Sequence, residues 1–481
     1  MQKKFLTSLF ILLGVNLIIK PVWILGIDRT VQNLTGPSEY GFYFAILNFS
    51  FLFNILLDLG ITNFNNRNIA QNAQLLTKHF SGIAIIKFLL ASLYLVVTFA
   101  AGYFVGYDSR QFHFLIFMSA NQFLLSFILY LRSNISGLQL FKTDSILSVL
   151  DRVLMIIFCS VLIWGNFTIG TFQIEWFLYS QTAAYFVTFF ICLGIVMLKA
   201  KFKRPTWNVP FFLLILKQSF PFAVLILLMT FYNRIDSVML ERMLENGNEH
   251  AGIYAAAYRL LDAFNMIAYL FAVILLPLFS KMLKTKENIF PIIKTSFSLL
   301  FIFSSYVAVF SAFFGEQLMQ AMYHSHAHES AEVFRILMFC FIPVSATYIF
   351  GTLLTANGSL KKLNIIAFCG MLLNVALNLI VIPKYQGQGA ASVSVLTQGV
   401  TAALQLIYVV ILFKIKPKMK HLLSLFIHLI IMIVSIYFIN RFTDNLLIAF
   451  VVSGMITVTS AIAMKILKPI KFIQMIMMKE D

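Results

Sequence analysis

Fourteen apolar stretches follow one another along the 481-residue chain, and no loop between them exceeds about 20 residues. They lie near 6–27, 41–64, 80–106, 112–134, 146–166, 174–198, 219–243, 251–280, 292–314, 331–355, 363–383, 389–413, 421–439 and 446–466. A helix rises 1.5 Å per residue, so a run of about 20 apolar residues is long enough to cross a bilayer. No folded soluble domain fits into the loops, so every function must be built from helix faces. Composition agrees: 60% of residues are hydrophobic and 11% charged, where a soluble domain is about a quarter charged. No signal-peptide cleavage site follows MQKKFLTSLFILLGVNLII, and the first stretch is expected to stay as a helix. Cys159, Cys192, Cys340 and Cys369 are scattered in apolar runs without a CxxC, which argues against a disulfide framework or a metal knuckle.

Lysine and arginine in the short loops give the orientation. With a cytoplasmic N-terminus, one side of the membrane collects 24 of the 36 cations, the other side 5 (Arg29, Arg110, Arg242, Lys384 and Arg441), and 7 lie within or at the edge of apolar stretches. The asymmetry predicts that both termini are cytoplasmic. It also accounts for most of the +17 net charge as a topology signal, so nucleic acid need not be invoked as a partner.

The hairpin from Ser219 to Lys284 breaks the apolar rule. Arg234 and Asp236 sit deep in its first arm, Arg259 and Asp262 in its second. An ionised side chain near the bilayer centre costs at least ~2.5–3.5 kcal/mol, so such residues face a bundle interior or a water-filled cavity. Asp236 lies about 25 Å along its helix from Ser219, and Arg259 and Asp262 lie roughly 12–18 Å into theirs, which predicts one shared leaflet and a polar path.

A repeat accompanies the hairpin. GPSEYGFYFAIL opens the second stretch and NEHAGIYAAAYRL the eighth; with Gly41 set on Gly252, Tyr43 falls on Tyr254 and Ala45 on Ala256. The offset equals six helices, and both segments follow a loop on the same side, which predicts parallel repeats about an axis along the membrane normal.

LTGPSEYGFYFAILNFSFLFNILLDLGITNFNNRNIAQN resembles the second-helix signature of polysaccharide flippases, with a loop glycine before YG and a later DLG before a polar end with Arg. SFPF, RIDSVML and AGIYAAAYRL resemble their helices seven and eight; LLTANGSLKKLN and LLNVALNLIVIPKYQGQGAASVSVLTQG resemble helices ten to twelve. The resemblance implies the fold of the multidrug/oligosaccharidyl-lipid/polysaccharide exporter superfamily. That fold is an all-α integral membrane protein of about 14 transmembrane helices, two six-helix bundles related by pseudo-two-fold symmetry around a V-shaped cavity, plus two C-terminal helices. The expected divisions are 1–209, 210–415, and 416–481 with its basic tail. The implied cargo is an undecaprenyl-pyrophosphate-linked oligosaccharide, flipped across the bacterial cytoplasmic membrane. The implied partners are membrane lipid, a polysaccharide polymerase and a chain-length regulator.

A dianionic pyrophosphate with a hydroxyl-rich glycan needs fixed cations in a hydrated cavity. Lys20, Arg152, Arg234 and Arg259 are the candidate cavity cations. Arg152 has the alternative of pairing with its neighbour Asp151, and Lys87 and Lys217 that of snorkelling to the cytoplasmic face. Asn374 and Asn378, four apart, share a helix face, with Thr397 at similar depth in the next helix and Asp236 in the seventh. These positions match a sodium site of the related lipid II flippases, except that Asn378 stands where a second carboxylate is expected. Coupling to Na+ or H+ through Asp236 is therefore the expectation, and simple packing of the asparagines by hydrogen bonds the alternative. His324, His326 and His328 read as a solvated outer loop, and neither a metal nor another cofactor is expected. No catalytic residue is expected either. The rival readings are an ion-coupled drug or metabolite exporter of the same superfamily, or a membrane-embedded polymerase or glycosyltransferase, which would need the sizeable soluble loop that the sequence lacks.

Overall fold

Buried in lipid, a backbone polar group must find its partner within its own helix, and these apolar runs become long helices. The computed structural model describes residues 14–16, 18–19, 21–62, 65–66, 69, 72, 74–165, 172–199, 209–415 and 419–467. Among them the structure is helical with no strand. A π-helical turn, Val22–Asp28, leads into α1 (Arg29–Leu52). Then follow α2 (Leu75–Val105), α3 (Ser109–Gly137), α4 (Phe141–Trp164), α5 (Ile174–Lys199), α6 (Val209–Met243) and α7 (Gly247–Thr285). The remainder is α8 (Phe290–Met322), α9 (Ala327–Leu337), α10 (Phe341–Ala356), α11 (Leu360–Leu412), α12 (Met419–Phe442) and α13 (Leu446–Ala463).

Eleven helical stretches among the described residues are long and apolar enough to span a bilayer. Two of the expected segments, 363–383 and 389–413, lie on the two arms of α11, which is broken at Gln386 (φ 47°) shortly after Pro383. The second expected segment begins in α1, and of the first, residues 6–13, 17 and 20 lie outside the described residues. Where a loop was expected between the first two segments, α1 carries only a break at Gly36, whose φ of 81° suits a residue without a side chain, followed by Pro37. Arg29, expected in that loop, is in the helix. The second segment also ends early: α1 stops at Leu52, a 3-10 turn runs Asn54–Leu57, and Leu59 and Gly60 take positive φ. Asp108 opens α3 with a reciprocal cap, its carboxylate accepting from Gln111 N at 2.7 Å while the Gln111 side chain accepts from Asp108 N at 2.9 Å.

The chain forms two compact units, Met1–Gly252 and Ile253–Asp481. In the first unit α3 packs on α5, and α1 on α3 and α6. In the second, α10 packs on α11, and α8 on α9, α10 and α12. The two C-terminal helices are anchored to α8: Tyr306 Oη donates to Phe450 O at 2.6 Å, and Ser298 and His421 share a hydrogen bond of 3.0 Å. The interior is largely apolar, but large apolar side chains also cover the outside and several polar ones lie within. Phe104, Leu198, Ile411 and Phe442 are exposed, while Asp28, Lys87, Asp236, Asn374, Asn378 and Thr397 are buried.

Candidate functional site

In the first unit the polar interior centres on the second arm of α1. Asn48 lies one to two turns beyond Tyr43 on that arm and is fully enclosed. Its amide nitrogen donates to Ser237 Oγ at 2.9 Å, and its oxygen accepts from Arg234 Nη1 at 3.2 Å. Both partners are on α6, in the stretch NRIDS. Arg234 is half-buried, with its guanidinium 5.3 Å from the centre of the Phe51 ring. Asp236, two residues on, is buried. Arg152, on α4, is also half-buried. It lies 3.6 Å from the carboxylate of Asp151, a long pairing, and 5.6 Å from the Trp23 ring. Trp23 in turn stacks on Phe177 with 5.6 Å between centroids. Arg234 and Arg152 are thus each partly exposed beside an aromatic face. Lys20 lies outside the described residues.

Three polar features of this unit escape sequence reasoning. Asp28 ends the π-helical turn, is 2% exposed, and accepts from Tyr40 Oη at 2.8 Å. A carboxylate at the end of the first apolar stretch, twelve residues before a tyrosine, was the available signal. Tyr43 Oη donates to Gln181 Oε1 at 3.2 Å. Lys87 does not snorkel: its ammonium meets Asp58 Oδ1 at 2.6 Å, and its side chain is 1% exposed against 25% for Asp58. The kink after Leu52 turns Asp58 toward α2, which is why the lysine stays inside. Asp58 also accepts from the hydroxyl of Thr62.

In the second unit, Arg259 and Asp262 lie one turn apart on α7, both half-buried. Asn374 and Asn378 are fully enclosed on the first arm of α11, where Asn378 Nδ2 donates to Asn374 Oδ1 at 3.2 Å. Thr397, on the second arm, is equally buried, and its hydroxyl and the amide nitrogen of Asn374 find no hydrogen-bond partner among the described residues. Orphaned buried polar groups are uncommon and call for an ion, a water or a conformational role. As oriented, Asn374 offers a donor, so a cation would meet oxygen there only after its amide turns over. Asp236 belongs to the first unit and these three residues to the second.

His324, His326 and His328 are exposed or half-buried, and His328 also has acidic neighbours. His328, in the first turn of α9, lies 3.1 Å from Glu316 and 3.6 Å from Glu332, while Arg335 meets Glu316 at 2.9 Å. Gln388, just past the break in α11, donates to Glu332 at 2.6 Å. Among the described residues no three His, Cys, Asp or Glu side chains converge as metal ligands.

Residues 5–283, more than half of the chain, match the family described as polysaccharide biosynthesis protein. The chain belongs to that family. Its fold is that of the MOP transporters. It superposes on a lipid II flippase MurJ in an inward closed conformation with a TM-score of 0.70 and 15% identity, over 97% of this chain and 99% of that one. An inward-facing multidrug resistance MATE family transporter of the MOP superfamily gives a TM-score of 0.61 at 13% identity, over 83% and 97%. A MOP superfamily transporter from Pyrococcus furiosus, described as having a binding pocket of reverse polarity, gives 0.56 at 14% identity, over 83% and 93%. Comparison with curated proteins finds no match by sequence. With eleven candidate spans and this fold, the chain is a multi-pass membrane protein.

Proposed function

We propose that this protein is a flippase that carries an undecaprenyl-pyrophosphate-linked oligosaccharide from the inner to the outer leaflet of the bacterial cytoplasmic membrane, for surface polysaccharide synthesis. The observation that carries the reading is the coverage of the lipid II flippase fold. It extends over 97% of the chain, the C-terminal helix pair included, within a family named for polysaccharide biosynthesis. The chemistry supports it. Half-buried Arg234 and Arg152, with Arg259 and Lys20, supply cations for the pyrophosphate. The bundles 1–209 and 210–415 alternate access, with residues 416–481 as an appendage, and both termini are cytoplasmic. Asp236, with Asn374, Asn378 and Thr397, couples the cycle to Na+ or H+. A polysaccharide polymerase and chain-length regulator act next on the product.

The test is reconstitution. Proteoliposomes containing the purified protein and a fluorescent undecaprenyl-pyrophosphate oligosaccharide are expected to expose the glycan to an external lectin faster than empty liposomes. Equal rates would overturn the reading. A drug or metabolite exporter is the second reading, favoured by the MATE relatives; it predicts efflux of organic cations from cells and no lectin signal.

A further inference from the structure

The second unit contains a groove of about 400 Å³, open along one side, between α8, α10 and α11. Its walls are apolar: Phe297 and Phe301 from α8, Phe339 and Phe350 beside and on α10, and the small residues Gly399 and Ala402 from α11. A methyl at Gly399 would meet nothing within 4 Å. Glycine weakens a helix and here relieves no crowding, so its absent side chain serves to keep the space open. The α11 lining runs from Val395 to Leu406, about 16 Å along the helix axis, so the groove is elongated along the helices. Its volume falls in the ~300–1,000 Å³ range of ligand pockets.

One end of this unit is rich in cations. The turn before α8 meets the end of α11, and the start of α12 lies against α8; these segments carry Lys286, Lys294, Lys414 and Lys420, and the start of α11 carries Lys361 and Lys362, against a single carboxylate, Glu287. Phe301 lies about 10 Å along α8 from Lys294. Cations at headgroup level with an elongated apolar slot below them form a two-part site.

We propose that this groove binds one acyl chain of an anionic phospholipid, whose headgroup rests among the lysines at the unit's cation-rich end. Charge complementarity favours an anionic headgroup, and the slot's length fits a single chain better than a long polyprenyl tail. Ser345 belongs to the wall, and its buried hydroxyl has no hydrogen-bond partner among the described residues. A hydrocarbon occupant does not use it, which separates this assignment from any polar ligand.

The experiment uses the full chain in vesicles doped with phosphatidylglycerol carrying a mid-chain diazirine, with labelled peptides mapped by mass spectrometry. The label is expected in 339–350 and 395–406, above that on the exposed α12 residues Leu422 and Phe426. Gly399→Leu, which fills the slot without meeting backbone, should reduce this labelling about tenfold, and Ala402→Leu serves if that variant does not fold. Ser345→Val should leave it unchanged, and Lys286→Ala with Lys294→Ala should erase the preference over a phosphatidylcholine probe. Any of four results would overturn the proposal: labelling no stronger than on α12, indifference to both filling variants, loss with Ser345→Val, or capture of a diazirine-bearing undecaprenyl phosphate in place of phosphatidylglycerol.

Discussion

Gly41 and Gly252 meet backbone to backbone. A methyl on Gly41 would fall onto the carbonyl oxygen of Asn248 and the amide nitrogen of Gly252, and one on Gly252 onto the carbonyl oxygen of Pro37. The side chain of Gln32 closes the same junction, donating to Gly252 O at 2.9 Å. These are the two glycines that the sequence repeat sets on each other, so the repeat-related positions are also neighbours in space. Only glycine permits this approach of α1 to the start of α7.

Gly41→Ala and Gly252→Ala should each destabilise the protein by about 1–3 kcal/mol or more, because rigid backbone on the far side cannot yield. Gly194→Ala, where a methyl meets nothing within 4 Å, should be neutral or stabilising. Thermal unfolding of the purified variants in detergent checks the contrast. Equal stability of Gly41→Ala and the control would count against the close approach.

The Lys87–Asp58 pair predicts an asymmetry. Removing the carboxylate strands a cation that is 1% exposed, whereas removing the lysine leaves a carboxylate that is 25% exposed. Asp58→Leu should therefore cost more than Lys87→Met, toward the upper end of the ~3–5 kcal/mol typical of a broken buried pair. The double variant should recover much of the loss. Folded yield and unfolding temperature across the four-member cycle measure it.

Arg234→Ala and Arg259→Ala should each reduce surface-glycan export while leaving protein abundance near normal, with lipid-linked precursor building up in cells. Arg234→Ala also removes the hydrogen bond to Asn48 Oδ1, so Asn48→Ala, which loses that contact together with the one to Ser237, is the control for disruption of this buried polar cluster. Normal export by both arginine variants would exclude these side chains from cargo binding.

Asp236→Asn separates coupling from packing. A carboxylate that serves only to neutralise an arginine leaves a buried cation when removed, at several kcal/mol, and the folded amount falls. A carboxylate that binds the driving ion leaves a folded, substrate-binding protein whose transport ignores the gradient. Liposome flipping under imposed sodium or pH gradients decides, and a wild type indifferent to both gradients ends the coupling hypothesis.

A reporter active only in the cytoplasm should be active when fused after Lys479 and silent when inserted between Asn246 and His250. The reverse result would invert the orientation read from the 24-to-5 division of loop cations.

The membrane class, the helix-forming runs, the repeat and the charge division were legible in the sequence, because each depends on local properties: apolar length, loop cations and spacing. The partners of the buried polar groups were not. Helices that are apolar nearly all round give no amphipathic stripe to say which face turns inward, and lipid is as apolar as leucine, so hydrophobicity does not choose a face. Lys87 looked able to snorkel until the kink after Leu52 brought Asp58 against it. Asp28 stood in an expected loop until helix ran on through Thr35 and set it beneath Tyr40. Asn374 and Asn378 were legible as sharing one helix face, and their mutual hydrogen bond follows from the spacing of four. What faces them across the interior was decided only by tertiary packing, because the neighbours come from stretches far apart in the chain.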